Sequence, residues 1–224
     1  MMLTIAPSIA AYDLVIELGW LTGQVAVQAS PAALTAELDQ VKAALIATDT
    51  PALPLTATRQ AYKILGKDPA RYRPAAEALS RRVRQGKDLS LINNVIDINN
   101  LISLQTGLSI GAYDRATITG PSRLERADET MSYRGIGRGP LNLSALPVLC
   151  DAAGPFGSPT SDSERSMVTG DTGDLLMVFY GLAPAKSDAG AALGAAVAEA
   201  LRHASALLAD YAAAAELKTG VVRS

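Results

Sequence analysis

The sequence predicts a mixed α+β fold, in which helices of the first half surround strands from the N-terminus and from the second half of the chain. Helix start and stop signals are concentrated between residues 30 and 107, whereas short alternating runs separated by Gly and Pro dominate after residue 112. An Ala-rich segment near the C-terminus again has helical spacing. With 224 residues, 49% of them hydrophobic, the chain can bury a full core as one large domain or as two fused halves, and we expect a single domain over residues 1–224.

Strand signals lie on both sides of the predicted helical region. Near the N-terminus, two short aliphatic runs predict two strands separated by a turn around Gly23. In the second half, alternating or continuous apolar runs end at Gly and Pro, which are typical of turns. The predicted strands are residues 14–16, 25–27, 112–119, 123–127 and 175–180.

Helix signals begin at Ser30 and Pro31. Serine is a good N-cap, and proline is favoured at the first helical position, so these residues predict a helix start, and Thr50-Pro51 predicts its end. Glycines at the ends of later apolar runs predict further helix ends. The other predicted helices are residues 56–66, 74–85, 93–105 and 188–218.

The composition favours a globular protein of the cytoplasm. The net charge is −2, and the N-terminus lacks the pattern of a signal peptide. No apolar run approaches the roughly 20 residues of a membrane helix. Cys150 and His203 are the only residues of their types, which excludes a His/Cys zinc cage, and the helical pattern around His203 favours a structural role. We expect no membrane segment, no metal and no cofactor.

Basic residues are concentrated between residues 59 and 87. This segment holds nine lysines and arginines against Asp68 and Glu77, and such a surface attracts a phosphate backbone. The alternative is an ordinary solvated helix face, because the chain as a whole is slightly acidic. The candidate RNA-binding residues are Arg71, Arg73, Arg81, Arg82 and Arg84.

An asparagine-rich run lies between residues 92 and 100, where four asparagines and an aspartate are interleaved with aliphatic residues. The apolar spacing predicts a mostly buried helix, so these amides lie beside the core. Spacing of three and four residues puts Asn93, Asp97 and Asn100 near one face. Such a row can bind a ligand, or it can hold neighbouring loops through hydrogen bonds to their backbone groups.

Two further motifs invite a ligand-binding interpretation. The glycine run 135–139 has the composition of a phosphate-binding loop, but no strand and helix frame it and no Gly-Lys-Ser/Thr follows. Five carboxylates between residues 151 and 174 have oxygens that suit a hard cation, but their spacing matches no calcium loop. Asp and Ser are also common in turns. We predict neither a dinucleotide-binding loop nor a metal site.

The order of the polar segments resembles one family, the editing module of the β chain of bacterial phenylalanyl-tRNA synthetase. The likeness lies in the runs 92–100 and 107–114, and in residues 146–172, where a strand enters a loop rich in hydroxyls and carboxylates. It covers about residues 56–181. The resemblance implies a β-sandwich-like core of unusual topology flanked by helices, and it implies tRNA or aminoacyl-tRNA as a partner.

The resemblance also implies a pocket that hydrolyses tyrosine wrongly esterified to tRNA. The Thr-Asn pair of the family falls on Asn99 and Asn100, the candidate catalytic residues. The family histidine falls on Gly111, and the strand glutamate that binds the tyrosine hydroxyl falls near Val178, so this chain lacks both groups. The candidate substrate-binding residues are Asn93, Asn94, Asp97, Gly111, Asp114, Asp162, Ser166, Thr169 and Thr172.

Two classes of function remain open. The first is an RNA-binding or aminoacyl-tRNA-binding protein that hydrolyses an aminoacyl ester, with water held by Asn99, Asn100 and neighbouring hydroxyls. The second is a non-catalytic module that binds a small amino-acid-like ligand or a protein partner. No class II synthetase active site is visible in the sequence, so we expect that the chain does not charge tRNA by itself.

Overall fold

The chain folds into two stacked β-sheets with a layer of helices, and the computed structural model describes residues 2–48 and 52–224. The strands are β1 (Leu3–Ile5), β2 (Leu14–Gln24), β3 (Ser109–Asp114), β4 (Ser122–Arg126), β5 (Ser132–Gly135), β6 (Gly139–Asn142), β7 (Pro147–Asp151), β8 (Gly154–Gly157), β9 (Asp174–Pro184) and β10 (Ala215–Arg223). The helices are α1 (Pro7–Ala10), α2 (Ala32–Ala47), α3 (Leu53–Ile64), α4 (Ala75–Arg84), α5 (Asn94–Thr106) and α6 (Ala189–Tyr211).

The two main sheets have four strands each. One has the order β1-β4-β7-β8, and the other has the order β10-β2-β9-β3. The centre of the second sheet is the long antiparallel pair of β2 and β9, whose register runs from Leu14 opposite Pro184 to Gln24 opposite Asp174. Strands β5 and β6 form a separate hairpin. The predicted α+β class with a sandwich-like core and flanking helices is confirmed.

Strand β9 separates two hydrophobic cores, because successive side chains of a strand point to opposite faces. Leu175, Met177 and Phe179 pack with the helices, mainly α5 and α6. Their neighbours Leu176, Val178 and Tyr180 pack between the sheets, against residues of β4, β7 and β8. The sheet β10-β2-β9-β3 is therefore covered by helices on one face and by the other sheet on the opposite face.

The N-terminal strands differ from the prediction, which was wrong in dividing them. Residues 14–24 form one continuous strand, and residues 25–27 are not part of a strand. Gly23 lies inside β2, where an added Cβ would come within 2.5 Å of Leu217 Cδ2. The glycine therefore permits the close approach of β10 and does not form a turn.

The ends of two predicted helices also differ. Helix α6 ends at Tyr211, not at residue 218, because Ala213 has φ 46 and residues 215–223 continue as β10. Pro31, not Ser30, is the N-cap of α2, and the Ser30 hydroxyl instead donates to Asp97 Oδ2 at 2.5 Å. The helix end predicted at Thr50-Pro51 lies outside the described residues.

Candidate functional site

A cleft opens between α4, α5, β3 and the hairpin of β5 and β6, with a volume of ≈ 610 Å³. Its charge is positive throughout: the described residues that line it include cations from α4, from the segments on either side of α4 and from the hairpin, but no carboxylate and no aromatic ring. Two amides of α5, Asn99 and Asn100, form part of the wall. The cations that line it are Arg73, Arg81, Arg82, Lys87 and Arg138.

Helix α4 supplies two of these five cations, because it is strongly amphipathic. Its buried side chains, Ala76, Ser80 and Val83, recur at helical spacing and pack inward. Arg81 and Arg82 are consequently on the exposed side, where they line the cleft. The sequence thus folds into a basic wall because its apolar positions occupy the opposite face of the same helix.

The cleft cations differ in their partners. Arg73 Nε lies 3.2 Å from Glu77 Oε1, and Arg82 Nε donates to the Asp88 carbonyl at 2.7 Å. No ion pair joins Arg81, Lys87 or Arg138 to a carboxylate within residues 2–48 and 52–224. These three charges are available to an anionic ligand.

The five predicted RNA-binding arginines are divided by the structure. Three of them, Arg73, Arg81 and Arg82, line the cleft. Arg71 instead lies over the Tyr72 ring, 5.5 Å from its centroid, and Arg84 donates to the Thr48 carbonyl. We therefore keep only the first three as candidates for ligand contact.

Sequence reasoning missed Arg138. The glycine run that carries it was set aside because it lacks the strand and helix of a phosphate-binding loop. In the structure the run forms the tight turn between β5 and β6, with Gly137 and Gly139 at φ 66 and φ 71. A glycine-rich turn between two short runs could have indicated this hairpin, but not that its tip reaches the cleft.

The asparagine-rich run contains structural and cleft residues side by side. Asn93 is the N-cap of α5 and accepts from the Ile96 amide at 2.9 Å. Asn94 is fully buried, accepts from the Gln28 amide at 3.0 Å, and donates to the carbonyls of Ala26 and Tyr211. These two asparagines connect segments of the fold, which accounts for their amides without a ligand.

Asp97 has the same structural character. Its carboxylate accepts from the Ser30 hydroxyl at 2.5 Å and from the Ile92 amide at 3.2 Å.

Asn99 and Asn100 differ from these structural residues, because both line the cleft. Asn99 Oδ1 is buried and has no hydrogen-bond partner among the described residues. An amide oxygen in that state is unusual in a folded protein.

Gly111 lies on the opposite side of β3 from the cleft. Its neighbour Ile110 lines the cleft, so alternation along the strand directs Gly111 toward the space between the sheets. Gly111 pairs in register with Val178, which is fully buried in that space. The positions that the resemblance gives to the family histidine and glutamate are thus adjacent, but the sheet separates them from Asn99 and Asn100.

The ring of Tyr113 fills the space beside Gly111. An added Cβ would lie 1.9 Å from the Tyr113 hydroxyl at Gly111, and 2.2 Å from it at Gly157 on the facing sheet. The ring packs edge-on against Phe156, with centroids 5.1 Å apart. The interior position that the resemblance suggested as a substrate pocket is therefore occupied by a side chain of this chain.

Hydrogen bonds fix the Tyr113 phenol in this position. It donates to Asp162 Oδ1 at 2.7 Å and shares a 2.8 Å hydrogen bond with the Tyr180 hydroxyl. Burial raises the pKa of the Asp162 carboxyl to about 7, although the hydrogen bond from Tyr113 lowers it. Asp162 as a residue keeps partial exposure, but its carboxylate faces these inward phenols. Asp162 therefore belongs to the interior and does not line the cleft.

The remaining predicted substrate-binding residues support loops. Ser166 Oγ donates to the Phe156 carbonyl at 2.9 Å. Thr172 Oγ1 donates to Asp114 Oδ2 at 3.2 Å and accepts from the Thr169 amide at 2.9 Å. None of these four side chains lines the cleft, and each has a partner within the chain.

The described part of the chain lacks two other kinds of feature. No group of three or more His, Cys, Asp or Glu residues there is placed to hold a metal ion. Among the same residues, no helix has both the length and the apolar content that a bilayer crossing requires.

Comparison with known proteins settles the family. A family model described as the B3/4 domain matches residues 57–213, which is more than half of the chain. The chain belongs to the B3/4 domain family. This domain is found in the β chain of phenylalanyl-tRNA synthetase, so the predicted relationship to that chain is confirmed. Among curated protein sequences, none matches.

Solved structures include one that is similar to this chain. It is an N-terminal fragment of the phenylalanyl-tRNA synthetase β-subunit from Pyrococcus horikoshii, with 12% sequence identity and a TM-score of 0.42. The alignment covers 99% of this chain and 50% of that chain. This B3/4 protein therefore spans half of the fragment.

Proposed function

We propose that this B3/4 protein binds aminoacyl-tRNA and that the acceptor end of the tRNA enters the basic cleft. The observation that carries the proposal is the composition of the cleft, to which the described residues contribute five cationic side chains and no acidic one, in a chain whose net charge is −2. Phosphate backbones bind such surfaces by releasing counterions. Membership of a family found in a tRNA synthetase chain supports tRNA over other polyanions, and this function would be performed in the cytoplasm.

Geometry also supports entry of a single strand and not of a duplex. The cations come from α4, from the segments just before and just after it and from the β5–β6 hairpin, and together they line a concave space of ≈ 610 Å³. A rigid double helix cannot enter a space of this size, whereas a flexible single-stranded end can follow it. The acceptor end of tRNA is such a strand, and it carries the aminoacyl ester.

Ester hydrolysis is the activity that we propose for the bound end, with Asn99 and Asn100 in the catalytic positions. Within residues 2–48 and 52–224, no carboxylate, imidazole, thiol or phenol lines the cleft, so this part of the wall supplies no general base of these four types. The two carboxamides can orient a water molecule and donate hydrogen bonds to the charge that develops on the ester oxygen. The rate enhancement would therefore come from positioning.

Binding is tested by titrating labelled tRNA at several salt concentrations. The double variant Arg81→Glu/Arg82→Glu should weaken binding by about 100-fold at low salt. It should also reduce the slope of log affinity against log salt concentration by about two. The matched control is Lys186→Glu/Arg202→Glu, which changes the charge equally at exposed residues outside the cleft. Equal loss in both variants, or no binding of tRNA by the unmodified protein, would refute the proposal.

Hydrolysis is tested by measuring ester loss from a panel of correctly and incorrectly charged tRNAs. The expected result is loss of activity in Asn100→Ala without loss of tRNA binding, because the amide acts on the ester and the arginines hold the strand. If the unmodified protein binds tRNA but hydrolyses none of the panel, the chain is a binding module only. Binding of free amino acids without tRNA would favour the non-catalytic alternative instead.

A further inference from the structure

We infer that the cleft recognises the ribose and phosphate groups of a single RNA strand, and not its bases. This inference rests on the proposed function, because it specifies how the same cleft recognises its ligand. Three features of the wall carry it: the distribution of cations, the lack of aromatic rings among the lining residues, and the unpartnered amide oxygen of Asn99.

The cations suit successive phosphates. Arg81 lines the cleft from α4, Lys87 lines it from just beyond the end of that helix, and Arg138 lines it from the hairpin. Because these charges come from different segments, a bound polyanion contacts them at several phosphates along its length. Such contacts fix the position of a strand but carry no information about base identity.

Base recognition needs groups that this wall does not have. Proteins that hold single-stranded bases usually stack them on Phe, Tyr, Trp or His side chains. In the part of the chain that the structure describes, no such side chain lines the cleft, and the rings of Tyr113, Tyr133 and Tyr180 are buried in the core that includes the space between the sheets. Affinity therefore depends little on which bases are present.

Asn99 supplies a group that suits a ribose hydroxyl. Its Oδ1 is buried without a partner, so turning that oxygen toward the cleft would break no hydrogen bond of its own. A carboxamide both donates and accepts, as does the 2′-hydroxyl that distinguishes RNA from DNA. Engagement of a 2′-hydroxyl would give the amide the partner that it lacks in the free protein, and it would favour RNA over DNA.

The test compares short labelled oligonucleotides of equal length by fluorescence anisotropy. Oligo(rU), oligo(rC) and oligo(rA) should bind within about threefold of one another, because their phosphates are equivalent. Oligo(dU), which differs from oligo(rU) by the missing hydroxyl, should bind at least about fivefold more weakly, as expected for one lost hydrogen bond. In Asn99→Ala the ratio of oligo(rU) to oligo(dU) affinity should fall to about one.

Gln105→Ala is the matched control, because it removes a carboxamide from the same helix at an exposed position outside the cleft. It should keep the preference for oligo(rU). Folding of Asn99→Ala is checked by its melting temperature, which should not decrease, since the substitution removes an unsatisfied polar group and introduces a good helix former.

The outcomes separate this inference from the proposed function. A base preference above about tenfold, or an RNA preference that survives Asn99→Ala, overturns the inference while leaving tRNA binding intact. Binding of tRNA without any binding of the oligonucleotides also overturns it. If neither tRNA nor the oligonucleotides bind, the proposed function itself fails.

Discussion

The two faces of strand β3 differ in what occupies them. On the helix side, Ile110 borders an open basic cleft, which Asn99 and Asn100 of α5 also line. On the other side, Gly111 meets the ring of Tyr113, and no space remains for a ligand. A shift of one residue along the strand thus separates a site that can bind from an interior that is already filled. Whether a residue can contribute to a site therefore depends on the strand face on which it lies, as well as on its place in a motif.

The largest effect on stability is expected where a substitution adds atoms to the filled side of β3. Gly111→Ala places a methyl group against the Tyr113 hydroxyl and ring, which are held by hydrogen bonds and cannot retreat. We expect the free energy of unfolding to decrease by about 3 kcal/mol, measured by urea denaturation. Gly170→Ala is the control, since nothing lies within 4 Å of its added Cβ, and it should change stability by less than about 0.5 kcal/mol. A tolerated Gly111→Ala would mean that the interior is looser than the structure indicates.

A somewhat smaller effect should distinguish two asparagines of α5. Asn94→Ala removes a fully buried carboxamide and its hydrogen bonds to the backbone groups of Gln28, Ala26 and Tyr211, so we expect the free energy of unfolding to fall by about 2.5 kcal/mol. Asn100→Ala removes a side chain at the cleft, so stability should change by less than about 0.5 kcal/mol. Thermal and urea unfolding of both variants measure the difference. Equal losses would contradict the assignment of one asparagine to the fold and the other to the cleft.

The next effect concerns pH and the filled side alone. The pKa of Asp162 is raised from 3.8 to about 7, mainly by burial, so the folded protein holds a proton that the unfolded chain releases. The protonated carboxyl therefore contributes to the free energy of unfolding, fully below the pKa of the unfolded chain, and this contribution is lost as the pH rises through about 7. Relative to the Asp162→Asn variant, the free energy of unfolding of the unmodified protein should decrease by roughly 2 kcal/mol between about pH 4 and about pH 7.5.

The pH experiment can contradict the prediction that Asp162 stays protonated in the folded protein. Urea unfolding of both proteins at a series of pH values gives the difference between their free energies of unfolding. Other carboxyl groups contribute equally to both proteins and cancel in this difference. One of them is Asp151, where burial raises the pKa but the hydrogen bonds and charge of Arg165 help to lower it overall. A difference that is constant with pH, or that grows in favour of the unmodified protein as the pH rises, would show that Asp162 does not keep its proton. Binding of tRNA to the two proteins at neutral pH should be equal, because Asp162 does not line the cleft.

Much of the fold could be predicted because its signals are local. Helices α3, α4 and α5 follow from apolar spacing and from the caps at their ends, and they were found within a few residues of the prediction. The single strand β2 was not predicted, because a glycine in a strand and a glycine in a turn look alike in sequence, and only the approach of Leu217 distinguishes them. Strand β10 was missed for a similar reason, since its partner β2 lies about two hundred residues earlier in the chain.

The candidate site could be predicted only in part. The basic segment was visible from composition, and three of its five named arginines line the cleft. Arg138 was not included, because its hairpin reaches the cleft only through the packing of loops far apart in sequence. The asparagine run indicated buried amides, but the sequence did not show that Asn94 holds backbone groups while Asn99 faces the cleft.

The sequence by itself determined the class of fold, the positions of the central helices and the relationship to the B3/4 family, because these depend on local patterns and on the order of motifs. Only the tertiary structure decided that Asn99 and Gly111 lie on opposite sides of a sheet and that the Tyr113 ring fills the interior side. The physical reason is that strand alternation and close packing fix direction and free volume. Both depend on residues that are remote along the chain.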